Sequence, residues 1–179
     1  MILFEKLLAN VAKKPKFVHF EDREFEKYCL ANYDKDGDGK ISIEEALRVT
    51  SISQNLFAIN TDNFSDLRYF ENVTVIPTIE INGYAKKVKR LEIPKGVESL
   101  GRYCLGFSTP VIIIFHGKTP PTHTWTFSYA TITYDTLTNG GSKIYVPDES
   151  VEDYKTAFTS NPSPMESGNI IHPISELNK

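Results

Sequence analysis

The chain has 179 residues, enough for one medium domain or a small module joined to a larger one. Apolar residues make up 40% and charged residues 24%, which excludes a wholly disordered or fibrous chain. Twenty Lys and Arg stand against 23 Asp and Glu, a formal net charge of −3, and this argues against nucleic-acid binding by bulk charge.

In chain order, MILFEKLLANVAKKPKF reads as a short amphipathic helix with Leu3, Leu7, Leu8 and Val11 on one side. Glu5 and Lys6 interrupt the apolar stretch that a signal peptide requires, so no leader is visible here. No apolar run approaches the ~20 residues of a membrane helix, and no membrane span is expected. The first 50 residues read as helical. From Asp22 to Tyr33, Phe25, Cys29 and Tyr33 recur at i, i+4 and i+8, the stripe of a helix with one buried face. A second helical segment, IEEALRV, follows an acidic, glycine-containing loop, and Ser42 and Glu45 have the spacing of a capping box before it. Cys29 and Cys104 lie too far apart for a multi-bridge scaffold and lack the neighbours of a zinc site. Two free thiols or one disulfide both fit.

The loop itself, DKDGDGKISIEE, fits the twelve-position EF-hand pattern at each diagnostic place. Hard Ca²⁺ prefers oxygen ligands. Asp34, Asp36 and Asp38 occupy positions 1, 3 and 5, so their carboxylates converge. Gly39 at position 6 permits the sharp turn. Lys40 at position 7 offers its backbone carbonyl, Ile41 turns inward, Ser42 acts through water, and Glu45 at position 12 binds with both oxygens. Such carboxylates repel one another without a cation. Sensor loops come in pairs, whereas this sequence has one and only two methionines, so the predicted calcium site is structural: it fixes the angle between two short helices.

After residue 50, Gly, Pro, Thr and β-branched residues rise. Strand-like runs occur at 73–81, 88–93, 111–115 and 143–146, each bounded by Pro, Gly or Asn. KRLEIPKGV and SKIYVPDESV are degenerate copies of one pattern. Alternating aliphatics (Leu91 and Ile93, Ile144 and Val146) face a core, a Pro ends the strand, and a later Val anchors the turn. Val88 and Val111 are 23 residues apart, a leucine-rich-repeat period. An ordinary sandwich of short strands fits the same spacing. Residues 159–179 are polar and Pro-rich and read as an extended tail pinned by Ile170, Ile171, Ile174 and Leu177.

The segment FEDREFEKYCLANYDKDGDGKISIEEALRVTSI resembles the calcium-loop segment that precedes the repeats in BspA-like leucine-rich-repeat surface proteins of Bacteroides-type bacteria. VKRLEIPKGVESLGRYCLGF resembles that family's repeat, GKTPPTHTWTF and KIYVPDESVEDYKTAF its closing repeats, and IIHPISEL its C-terminal ending. The resemblance implies a right-handed solenoid, no enzymatic activity, and a surface or adhesive role. The repeats here are few, and the stretch at 76–85 departs from the repeat signature.

Among other residues, His19, His116, His123 and His172 invite a hydrolase reading, although none has metal spacing and no G-x-S-x-G elbow is present. Trp125, Phe127 and Tyr129 alternate on one strand face, as a row that binds a glycan or protein, or as a plug for the solenoid's end. Lys86, Lys87, Lys89 and Arg90 read as a solvated strand edge. The expectation is an α+β protein in three parts: a helical EF-hand-like calcium cap at 1–50, a short, irregular leucine-rich-repeat solenoid at 51–158 and a tail at 159–179. Its expected role is a non-enzymatic, calcium-stabilised binding or adhesion module for a protein or glycan at a bacterial surface. A calcium-responsive regulatory module is the alternative.

Overall fold

A computed structural model describes residues 15–77, 88–101, 104–105, 110–123, 141–159 and 170–178. Over these the fold is α+β, with short helices beside two parallel sheets and no closed barrel.

Helix α1 spans Arg23–Tyr33. Asp22 caps it by accepting the Phe25 N–H at 2.8 Å, and Glu24 and Glu26 in the first turn complement the helix dipole. Its buried face is Phe25 and Cys29. Helix α2 spans Ile43–Arg48 and begins at the predicted capping box of Ser42 and Glu45. Residues 15–20 are not helical, contrary to the expectation for the first 50. Phe17 instead pairs antiparallel with Ser42.

Eight short strands follow: β1 (Asn63–Phe64), β2 (Val75–Ile76), β3 (Arg90–Ile93), β4 (Ser99–Leu100), β5 (Ile112–Phe115), β6 (Thr122–His123), β7 (Lys143–Val146) and β8 (Ile171–Pro173). One sheet has the order β1-β3-β5-β7-β8 and the other β2-β4-β6. Every pairing is parallel, and each strand's neighbour is the next one that the chain sends to that sheet. From β1 to β7 the chain visits the two sheets alternately.

Register explains why the long sheet holds. Phe64, Leu91, Ile113, Ile144 and Ile171 stand opposite one another, strand by strand, and all are buried. Full burial of each such side chain contributes about 1.5–3 kcal/mol. Ile93 and Phe115 form a second rung. The predicted runs at 88–93, 111–115 and 143–146 appear as β3, β5 and β7, with Pro94 and Pro147 just past the ends of β3 and β7. Of the run at 73–81, Val75 and Ile76 form a strand, and 78–81 lie outside the described residues.

The turns after β3 and β5 stack closely. A Cβ at Gly96 would run into the Glu71 carbonyl oxygen, and one at Gly117 would sit 3.1 Å from the Lys95 carbonyl oxygen. After β7 the segment expected as a repeat turn is instead helix α3 (Val151–Thr159). Its Tyr154 and Phe158 pack on Phe115 with ring centroids 5.2 and 5.7 Å away, and the Tyr154 hydroxyl donates to the Gly117 carbonyl at 2.9 Å. The tail supplies β8, hydrogen-bonded to β7. Cys29 and Cys104 are free and fully buried, and burial pushes both thiols up. The N-terminal amphipathic stretch before residue 15, Lys86 and Lys87, and the row of Trp125, Phe127 and Tyr129 lie outside the described residues.

Candidate metal centre

Helix α1 ends where its C-cap residue, Asp34, turns to extended backbone and opens the loop. The loop then folds around its own carboxylates. Asp34 accepts the Gly37 N–H at 2.8 Å through Oδ1 and the Gly39 N–H at 3.0 Å through Oδ2. Asp36 accepts the Asp38 N–H at 3.1 Å, and Asp38 accepts the Lys40 N–H at 2.9 Å. Gly37 and Gly39 have φ of 72° and 78°, the left-handed region in which a Cβ is strained. The predicted glycine turn at Gly39 is present, and Gly37 adds a second.

Together these contacts bring carboxylate oxygens of Asp34, Asp36 and Asp38 within 4.8 Å of one another. Two oxygens on opposite sides of an ion bound at about 2.4 Å are about 4.8 Å apart, so the cluster fits a single hard cation. Asp36 and Asp38 are exposed and Asp34 is half-buried, which leaves an approach from solvent. The arrangement can hold a metal ion.

Glu45 is placed differently. It is not part of the three-aspartate group. Its Oε2 accepts the Ser42 N–H and the Ser42 hydroxyl, each at 2.9 Å, and its Oε1 accepts the Lys35 N–H at 2.8 Å. The backbone donors of Ser42 and Lys35, then the Ser42 hydroxyl, hold the carboxyl down to about 2. Glu45 thus ties the second helix to the start of the loop. Lys40 places its ammonium 4.9 Å over the Phe17 ring.

The strand half of the loop finds its partner inside the chain. Val18 N–H donates to the Ile41 carbonyl at 2.8 Å, and Ile43 N–H donates to the Lys16 carbonyl at 3.0 Å. Ile41 is buried, as position 8 requires. Lys16 also places its ammonium 5.0 Å over Phe17. Sequence reading misses this pairing. Its one local signal is the apolar pair Phe17-Val18, which does not name a partner.

Of the histidines, His116 Nε2 stands 2.7 Å from Glu92 Oε2, and His172 Nδ1 stands 3.7 Å from Glu176 with its ring 5.6 Å from Tyr145. Glu92 is 4% exposed in the middle of β3. Burial pushes its carboxyl up, but His116, Arg90 and Arg68 outweigh that and hold it below the usual range. His19 is exposed, and His123 lies in β6. Among the described residues no hydroxyl or thiol hydrogen-bonds to the His116 or His172 ring.

In comparisons with known proteins, no family model, no curated protein and no solved structure matches the chain.

Proposed function

We propose that the chain is a non-enzymatic binding module stabilised by calcium. Residues up to about 50 act as an EF-hand-like helix–loop–helix cap, in which Asp34, Asp36, Asp38, the Lys40 carbonyl and Glu45 hold one Ca²⁺. The observation that carries this reading is the convergence of three carboxylates on one point, held by backbone amides and two left-handed glycines. A calcium ion there supplies positive charge that cancels the repulsion between these carboxylates. Pairing with 16–18 supports a loop that works alone, because the edge that a second loop would cover is covered in cis.

The cap sits, in this reading, on a short irregular solenoid of leucine-rich-repeat type. Its support is the alternating visits to two parallel sheets and the in-register ladder of Phe64, Leu91, Ile113, Ile144 and Ile171. Right-handed winding follows from the strong preference of parallel crossovers. The role, binding a protein or glycan at a bacterial surface, rests on the sequence resemblance, and the row of Trp125, Phe127 and Tyr129 is its candidate contact face.

The test is calorimetric titration with CaCl₂. One ion per chain is expected for the wild type, with binding abolished in Asp36→Asn combined with Asp38→Asn. Absence of binding heat together with absence of terbium luminescence would remove the calcium reading. A second reading, a calcium-responsive regulator, is favoured by one observation: Glu45 is committed to its capping box and to Lys35, and must exchange those partners to reach the ion. Circular dichroism at 25 °C separates the two. Little change on adding calcium is the structural outcome, and a large change is the regulatory one.

A further inference from the structure

The loop contains both Asp-Gly peptide bonds of the chain, Asp36-Gly37 and Asp38-Gly39. An Asp-Gly bond is open to self-modification, because glycine has no Cβ to shield its nitrogen. On losing its proton, that nitrogen attacks the side-chain carbonyl carbon of the preceding aspartate. A C–N bond forms, a C–O bond breaks and water leaves, which gives a five-membered succinimide. Water then adds to one of the two ring carbonyls and opens the ring. One product is aspartate again. The other is isoaspartate, in which the main chain runs through Cβ and the free carboxylate sits directly on Cα. The sequence of steps is a dehydration followed by a hydrolysis, with no change of oxidation state.

Packing does not oppose this reaction here. Residues 35–40 are all exposed. A Cβ built at Gly37 or at Gly39 meets no atom within 4 Å. The obstacle is a pair of hydrogen bonds. The Gly37 nitrogen donates to Asp34 Oδ1 at 2.8 Å, and the Gly39 nitrogen donates to Asp34 Oδ2 at 3.0 Å. The two nitrogens that would attack are thus held by the two oxygens of one carboxylate. An N–H held in this way resists ionisation, because the amide anion would face a negative oxygen at hydrogen-bond distance. The carboxylates under attack are drawn off as well. Asp36 Oδ1 reaches past its own glycine to the Asp38 N–H at 3.1 Å, and Asp38 Oδ1 reaches past its own to the Lys40 N–H at 2.9 Å. Asp34 is the C-cap residue of α1, so the holding group is set by the helix and not by the bonds it holds.

We propose that Asp34 is a chemical guard of the loop: by occupying the N–H groups of Gly37 and Gly39, it keeps Asp36-Gly37 and Asp38-Gly39 from turning into isoaspartate. These two bonds are the loop's modification sites, and they react when Asp34 lets go. Conversion at either one moves a carboxylate onto Cα and so takes it out of the three-aspartate group. The guard therefore preserves the cluster against the chemistry of its own sequence. All four hydrogen bonds are made within the chain, so the guard stands or falls separately from calcium binding.

The experiment incubates the full chain with chelator at neutral pH and body temperature. Isoaspartate at positions 36 and 38 is followed by peptide mapping with electron-transfer fragmentation. The folded wild type is expected to convert at both positions roughly tenfold or more slowly than the same chain in guanidinium chloride. Asp34→Ala removes both acceptor oxygens and is expected to raise both rates roughly tenfold over the folded wild type. Ile41→Val loosens the loop at its buried anchor and leaves both glycine bonds in place, so its rates are expected to match the wild type. Equal rates in the folded and the denatured wild type would overturn the guard. So would Asp34→Ala rates no higher than the wild type's, or an Ile41→Val chain that converts as fast as Asp34→Ala. Where Asp34→Ala does not fold, hydrogen exchange of the Gly37 and Gly39 amides in the wild type decides. Protection of both, with slow conversion at both bonds, supports the guard, and exchange at the rate of an unstructured chain overturns it.

Discussion

The acidic loop at 34–45 and the ladder of β1, β3, β5, β7 and β8 keep their shapes by opposite means. In the loop the aspartate contacts join residues five or fewer apart, each a carboxylate accepting a backbone N–H near the surface. The ladder joins residues 22 or more apart, all of its central rung apolar and buried. A local polar cage is specified by spacing alone, but it gathers like charges and wants a cation. An apolar ladder draws on burial for its strength and needs no ligand, but each rung depends on its neighbours above and below. On the calcium reading proposed above, the molecule joins a part whose stability is conditional on a cation to one whose stability is intrinsic.

The comparison breaks hardest in the ladder. Ile113→Ala, at the middle rung, is expected to cost about 2–5 kcal/mol in denaturant unfolding, while leaving calcium titration of the folded protein unchanged. Gly96→Ala forces a methyl group into the Glu71 carbonyl and is expected to cost about 1–3 kcal/mol by the same measurement. On the loop side the sensitive variable is pH. Glu45, held to about 2, contributes stability that is present above its unfolded value near ~4.3 and lost as pH falls toward the folded value. Glu45→Gln is expected to flatten that part of the acid limb in a series of melts from about pH 5 down to about pH 2, and to weaken calcium binding as well. The smallest effect is expected from Phe17→Ala, which removes the half-buried ring beneath the exposed Lys16 and Lys40 for about 0.5–1 kcal/mol. Its melting temperature should fall slightly more with calcium than without, if the cis strand steadies the loop.

The same contrast explains what can be read from the sequence. The loop, the capping box of its second helix and the turn at Gly39 are legible because their determinants sit within a few residues. β3, β5 and β7 are legible as alternating or continuous aliphatic runs of four residues. β1, β2, β4 and β6 are two residues long and carry no period at all. α3 misleads because its Pro-Asp-Glu lead-in copies the repeat turn, although Tyr154 and Phe158 are spaced i, i+4 for a helix. The tail's Ile171-His172-Pro173 reads as coil because Pro argues against a central strand, and it is found at the sheet edge, where Pro is tolerated. Asp66 and the 16–18 pairing leave no local trace, since their hydrogen-bond partners lie more than 20 residues away, and Glu92 shows only its neighbour Arg90 while its partner His116 is 24 residues on.

The central claim, that a cation completes the conditional half of the molecule, is tested most directly by differential scanning calorimetry of the wild-type chain in chelator and in excess calcium. At one hundred times the dissociation constant, binding adds roughly 2.7 kcal/mol to the folded state. For a chain of this size that raises the melting temperature by about 5–10 °C. The account predicts that rise, and its loss when Asp36 and Asp38 are both replaced by Asn. An identical melting temperature with and without millimolar calcium would contradict it.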